Sequence, residues 1–146
     1  MIAHIEGILE SKIPTQVVID VSGVGYMLNI SLNTYDELPS KGKLRLFSHL
    51  IVREDAHILY GFSQEEERTM FRELINVSGV GASTALMVLS SMKPSEVILA
   101  VDQSDVNAFK SVKGIGLKSA QRIIVDLKGK LDKIESNNDF LSPQGN

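Results

Sequence analysis

The chain has 146 residues, of which 43% are hydrophobic and 23% charged, with a net charge of −3 and no cysteine. This is ordinary for a soluble globular protein of one large or two small domains, and it excludes disulfides and thiolate metal sites. No apolar run nears the roughly 18–20 residues of a membrane span and Met1-Ile2-Ala3-His4-Ile5-Glu6-Gly7 lacks the layout of a signal peptide, so a cytoplasmic protein with no membrane partner is expected.

Residues 1–62 read as five short strands, near 2–10, 14–21, 24–31, 43–52 and 56–62, rich in Val, Ile, Leu and Tyr. Turn signals separate them at Lys12-Ile13-Pro14, Ser22-Gly23-Val24-Gly25, Pro39-Ser40-Lys41-Gly42 and Glu54-Asp55. The nearly continuous apolar run Val17-Val18-Ile19-Asp20-Val21 suits a strand buried on both sides. Five strands in so short a stretch suit a closed Greek-key barrel, of which the OB-fold is the commonest, because closure removes exposed edges. A helical turn is expected near Tyr35-Asp36-Glu37-Leu38, and most of Tyr26, Tyr35, Phe47, Tyr60 and Phe62 are expected to fill the barrel core.

From Ser63 the period becomes helical. Ser63 with Glu66 predicts a capping box, and Glu65, Glu66 and Glu67 suit the positive end of a helix dipole. Met70, Phe71, Leu74, Ile75 and Val77 recur at helical spacing, and further helices are predicted over 82–91, 95–103, 105–111 and 117–131. The reading is an α+β chain: a barrel over 1–62, an all-α domain over 63–134, and a flexible linker over the polar residues 135–146, with no third domain after it. Positive charge gathers late. Residues 105–135 hold seven Lys and Arg, among them Lys110, Lys113, Lys118 and Arg122, against four acidic residues. A local basic region can bind phosphate on an otherwise acidic protein.

An internal repeat carries the functional argument. Val77-Ser78-Gly79-Val80-Gly81-Ala82-Ser83-Thr84-Ala85 resembles Val112-Lys113-Gly114-Ile115-Gly116-Leu117-Lys118-Ser119-Ala120 at a constant offset of 35 residues. Each copy reads helix, then hydrophobic-Gly-hydrophobic-Gly, then helix. The glycines Gly79, Gly81, Gly114 and Gly116 permit a tight turn and a close backbone approach. Val80 and Ile115 are expected to anchor each hairpin in its core. Free N–H groups at the following helix start would bind phosphate, with Ser83, Thr84, Lys118, Ser119 and Arg122 adding side-chain donors. Such contacts fix position without reading sequence. No Walker-type phosphate loop occurs, so ATP would be used only by a partner, and no catalytic, cofactor or metal site is expected in this chain.

Gly23-Val24-Gly25-Tyr26, Val52-Arg53-Glu54-Asp55-Ala56, Leu59-Tyr60-Gly61-Phe62, the helix 67–75 and the two hairpins occur together in order. From Met1 to about Lys133 this ordered set resembles the RuvA family of bacterial Holliday-junction-binding subunits. The resemblance implies an OB-fold domain, a tandem helix-hairpin-helix domain and a homotetramer, with an octamer left open, that holds a four-way DNA junction square and planar. It implies a RuvB-type hexameric ATPase and a RuvC-type junction resolvase as partners. It also gives Glu54 and Asp55 the role of an acidic pin at the crossover. One departure is visible: the family often carries a Lys near position 83, where this chain has Ser83-Thr84, and Lys113 is placed to compensate in part.

Two rival readings compete. A base-excision enzyme would use the same hairpin but needs a catalytic Asp within a larger domain, whereas Asp126 falls eight residues after Lys118 on the same predicted helix. A single-strand-binding barrel would stack bases on exposed aromatics.

Overall fold

A computed structural model describes residues 1–141, with side chains as far as Lys130. Five strands, β1 (His4–Ile13), β2 (Gln16–Val21), β3 (Val24–Asn29), β4 (Lys43–Val52) and β5 (His57–Phe62), close a barrel in the order β1-β2-β3-β5-β4. Every pairing is antiparallel except β3 with β5. The β2–β3 hairpin turns on Ser22 and Gly23, at φ 52° and 96°. Two consecutive left-handed residues match the twist of a two-residue hairpin loop, and the Asp20 carboxylate accepts the Gly23 N–H at 2.8 Å. Along β2, Val17 and Ile19 are fully buried while Val18, Asp20 and Val21 are half-buried. The strand therefore faces one core and not two, the barrel interior alone being dry.

The helix α1 (Leu32–Glu37) spans the gap between β3 and β4 and starts three residues earlier than expected, capped by the Ser31 hydroxyl. Five more helices follow: α2 (Glu65–Ile75), α3 (Ala82–Ser91), α4 (Pro94–Asp102), α5 (Val106–Lys110) and α6 (Leu117–Leu141). The expected capping box at Ser63 does not form. The N-cap of α2 is Gln64, with no side-chain bond, and the Ser63 hydroxyl is buried without a hydrogen-bond partner. The helix starts one residue later than the box requires, so Glu66 stands at N2 instead of N3, and Glu67, which takes N3, turns inward to α1. The last helix also runs past its expected end at 131. Residues 135–141 of the expected linker continue the backbone of α6, no proline intervening before Pro143; residues 142–146 lie outside the described residues.

Two apolar cores result. One fills the barrel, with Val17, Ile19, Leu28 and Leu46 at its centre. The other unites the helices around Phe71, Leu74, Leu89, Phe109, Ile123 and Leu127. Tyr60 and Phe62 belong to this second core and not to the barrel core expected for them. Their rings lie 5.0 and 5.1 Å from that of Phe71, so β5 is the strand on which the helical domain is seated. Phe47 packs on the same side. Among the described residues no single helix is long and apolar enough to cross a membrane.

Candidate nucleic-acid interface

The two repeats fold alike. Gly79 and Gly114 adopt φ of +87° and +91°, a region open to glycine at little cost. In each copy the residue after that glycine donates back across the turn, Val80 to the Val77 carbonyl at 3.0 Å and Ile115 to the Val112 carbonyl at 3.2 Å. Val80 and Ile115 are each 6% exposed and sit in the helical core, as the pattern predicts. The helices then begin at the second glycine: Ala85 donates to Gly81 at 2.9 Å, and Ala120 donates to Gly116 at 3.0 Å. Ala85 and Ala120 are fully buried.

The amides ahead of Ala85 and Ala120 have no carbonyl within their own helix to bind. At α1 and α5 that need is met by the side chains of Ser31 and Asp105. At α3 the N-cap is Gly81, which has no side chain to offer. The first-turn residues Ser83, Leu117 and Lys118 are exposed, while Thr84 and Ser119 are half-buried. A bare, exposed helix start with the dipole behind it is suited to an anion. No atom lies within 4 Å of a Cβ built on Gly81 or Gly116. The space over each turn is open, and only the missing side chain keeps it so.

The side chains make the two hairpins electrically unlike. The first carries Ser78, Ser83 and Thr84 and no cation. The second carries Lys113 and Lys118, both exposed, and Arg122 one turn further on. Arg122 reaches Asp126 at 3.5 Å, and with Lys118, Gln121 and Val125 they line a shallow concavity beside the hairpin. Two other cations of this basic stretch serve the fold instead: Lys128 donates to the Ser104 hydroxyl at 2.7 Å, and Lys130 pairs with Glu73 at 3.8 Å. Asp126 is thus an ion-pair partner on the surface of α6.

Glu54 and Asp55 occupy the tip of the β4–β5 hairpin, closed behind them by Arg53 N–H donating to the Ala56 carbonyl at 2.8 Å. Both are exposed. They lie on the barrel, whereas the hairpins lie on the helical domain, so the fold keeps the acidic tip and the two hairpins on separate domains.

Three residues of structural consequence, Ser31, Asn33 and Thr34, carry no signal in the sequence, and a fourth, Glu67, reads there only as a charge suited to the helix dipole. Glu67 is 3% exposed and accepts the Ser31 and Thr34 hydroxyls, each at 2.5 Å. Burial pushes its carboxyl up, an effect opposed by those two hydrogen bonds. A signal for it existed, since 67, 70, 71 and 74 follow the helical apolar spacing and place Glu67 on the buried face of α2. Across the same seam Arg72 Nε donates to His49 Nδ1 at 3.1 Å, and Arg68 donates to the Ala3 and Ser48 carbonyls.

A closed five-stranded barrel followed by two helix-hairpin-helix elements with bare, open helix starts defines a class of proteins built to hold nucleic acid by its backbone. Residues 1–61 match the family described as the RuvA N-terminal domain, and residues 71–129 match the SAM-like helix-hairpin-helix tandem. The Holliday junction branch migration complex subunit RuvA of Flavobacterium psychrophilum is 53% identical over 134 residues, covering 92% of this chain and 69% of that protein. The protein of the same name from Christiangramia forsetii is 49% identical over 146 residues, 100% of this chain and 76% of its own length. That of Chromobacterium violaceum is 48% identical over 132 residues, 90% of this chain and 67% of its own. The chain belongs to the RuvA family.

Proposed function

We propose that this chain binds four-way DNA junctions, independently of sequence, as the non-catalytic subunit of an ATP-driven branch-migration complex in recombination and repair. One observation carries the reading: two hairpins, 35 residues apart, each present a glycine-bordered helix start with unpaired amides and no side chain above it. Gly79, Val80, Gly81, Ser83 and Thr84 would hold one phosphate group, and Gly114, Ile115, Gly116, Lys118, Ser119 and Arg122 another. Successive phosphates of one strand are the natural target, approached from the minor groove. Since amides and hydroxyls meet only phosphate, the grip is the same on every sequence.

Glu54 and Asp55 repel phosphate. In a homotetramer, one subunit on each arm, four such tips would stand at the crossover and guide the strands apart. Two such tetramers could enclose the junction as an octamer. ATP hydrolysis belongs to a RuvB-type hexameric motor and strand cleavage to a RuvC-type resolvase, and this chain needs no cofactor or metal for its own part. The setting is the cytoplasm.

The test is a gel-shift comparison of a four-way junction with a linear duplex of the same arm sequence, at moderate salt. The expected result is strong preference for the junction, lost in Gly81→Glu and Gly116→Glu and kept when the arm sequence is changed. Equal binding to both would reduce the protein to a general helix-hairpin-helix DNA binder and remove the role given to Glu54 and Asp55.

A further inference from the structure

Junction recognition asks for more than two hairpins. The acidic tip is on the barrel and the hairpins are on the helical domain, so their separation is set where the two domains meet. The apolar part of that seam, Tyr60 and Phe62 against Phe71, resists separation but is non-directional. Direction comes from polar bonds: Arg68 and Arg72 hold α2 to β4 and to Ala3, and the first residues of α1 hold both α2 and α3.

Ser31 and Thr34 each donate a hydroxyl hydrogen to one oxygen of Glu67 on α2, at 2.5 Å. Each hydroxyl also accepts a backbone N–H, Ser31 Oγ from Thr34 at 3.1 Å and Thr34 Oγ1 from Ser63 at 3.2 Å. A hydroxyl has one hydrogen, and here it is committed to the carboxylate, so α1, α2 and the link from β5 are locked in one arrangement. One residue away, the Asn33 side chain donates to the Leu89 carbonyl and, at 3.2 Å, to that of Met92. The Leu32 N–H donates to the Ser90 hydroxyl at 3.0 Å. These bonds hold the C-terminal end of α3, whose other end is the first hairpin. At about 1.5 Å per residue, Leu89 lies roughly 10 Å along a rigid helix from Ala82. Val80 and Ile115 share one core with α3, so a tilt at Leu89 swings both hairpins together relative to the barrel.

We propose that Ser31, Asn33, Thr34 and Glu67 are positioning residues for junction recognition, fixing the first hairpin relative to the acidic tip of the barrel. This rests on the junction-binding reading above. A linear duplex needs only the hairpins and tolerates a loosened seam. A junction needs the tip and the hairpins engaged together, and that simultaneous engagement is lost when the geometry between them slackens.

The experiment measures binding of the full chain to a four-way junction and to a linear duplex by fluorescence anisotropy, well below the thermal midpoint of each variant. Asn33→Ala and Thr34→Val are expected to lower the ratio of junction to duplex affinity by about tenfold, the scale of one or two lost hydrogen bonds. Duplex affinity is expected to stay within about twofold, since neither residue is at a hairpin. Thr34→Ser, which keeps the hydroxyl, is expected to restore the ratio. A parallel fall in both affinities, or an unchanged ratio in Asn33→Ala and Thr34→Val, overturns the positioning role. If the unaltered protein itself shows no preference for the junction, the reading beneath it fails instead, and the two failures are told apart by that control.

Discussion

A Cβ built on Gly79 or Gly114 meets no atom within 4 Å, and the same holds for Gly81 and Gly116. None of the four is glycine because its surroundings in this chain are crowded. Gly79 and Gly114 have φ near +90°, so alanine there pays for a left-handed backbone. Gly81 sits at φ −89°, which any residue adopts, so its methyl would stand only in the way of a ligand. Two outcomes follow for thermal unfolding and duplex binding measured side by side. Gly79→Ala and Gly114→Ala are expected to lose about 1–2 kcal/mol of stability, read as a drop in Tm of roughly 2–8 °C. Gly81→Ala, which exchanges glycine for the less favoured alanine at an N-cap, is expected to lose only about 0.5–1 kcal/mol, a drop in Tm of roughly 1–4 °C, while duplex affinity falls severalfold. Full duplex affinity in Gly81→Ala would mean that phosphate does not approach that turn.

Between elements, the hairpins differ in charge while agreeing in backbone. The first offers amides and hydroxyls, and the second adds Lys118 and Lys113. The salt dependence of binding counts the cations that replace counterions, at a slope near −0.9 for each phosphate neutralised on duplex DNA. Lys118→Ala is therefore expected to shallow the plot of log affinity against log salt by about 0.9, measured by anisotropy between about 50 and 200 mM. Ser83→Lys, at the matching place in the first hairpin, is expected to steepen it by about the same amount. An unchanged slope in Lys118→Ala would place that side chain away from phosphate, leaving the second hairpin to act through its amides alone. The repeat made this comparison possible from sequence, because a constant offset of 35 residues aligns Ser83 with Lys118 directly.

At the scale of the whole chain, what could be read in advance was local and what could not was the seam. The five strands, the hairpins and the buried Val80 and Ile115 all rest on short-range patterns of glycine and apolar spacing. The clasp of Ser31, Thr34 and Glu67 joins residues more than 30 positions apart, and three consecutive glutamates look alike until one is turned inward. Tyr60 and Phe62 enter the helical core and not the barrel core for the same reason, since alternation says that a strand residue is buried but not against what. The seam also gives the fold a pH response. His49 on β4 lies edge-on to Phe71 and accepts from Arg72, and burial, then Arg72, then Arg68 hold its pKa below the usual histidine value. Its folded value being lower than its unfolded one, the stability it contributes is present above the usual histidine range and is lost as pH falls through the folded value. Glu67 works in the opposite sense, because its raised value favours the folded chain as pH falls toward the usual glutamate range. Comparing variants separates the two. His49→Asn keeps an acceptor for Arg72 and cannot titrate. Thermal midpoints of the two proteins are expected to run parallel at pH 7–8 and to diverge below about pH 6.5, the unaltered protein falling faster by less than the roughly 2–4 °C that 1 kcal/mol makes in a chain of this size. Parallel curves down to the glutamate range would mean that His49 stays neutral throughout, and that Arg72 keeps its bond to β4 at every pH at which the protein is folded.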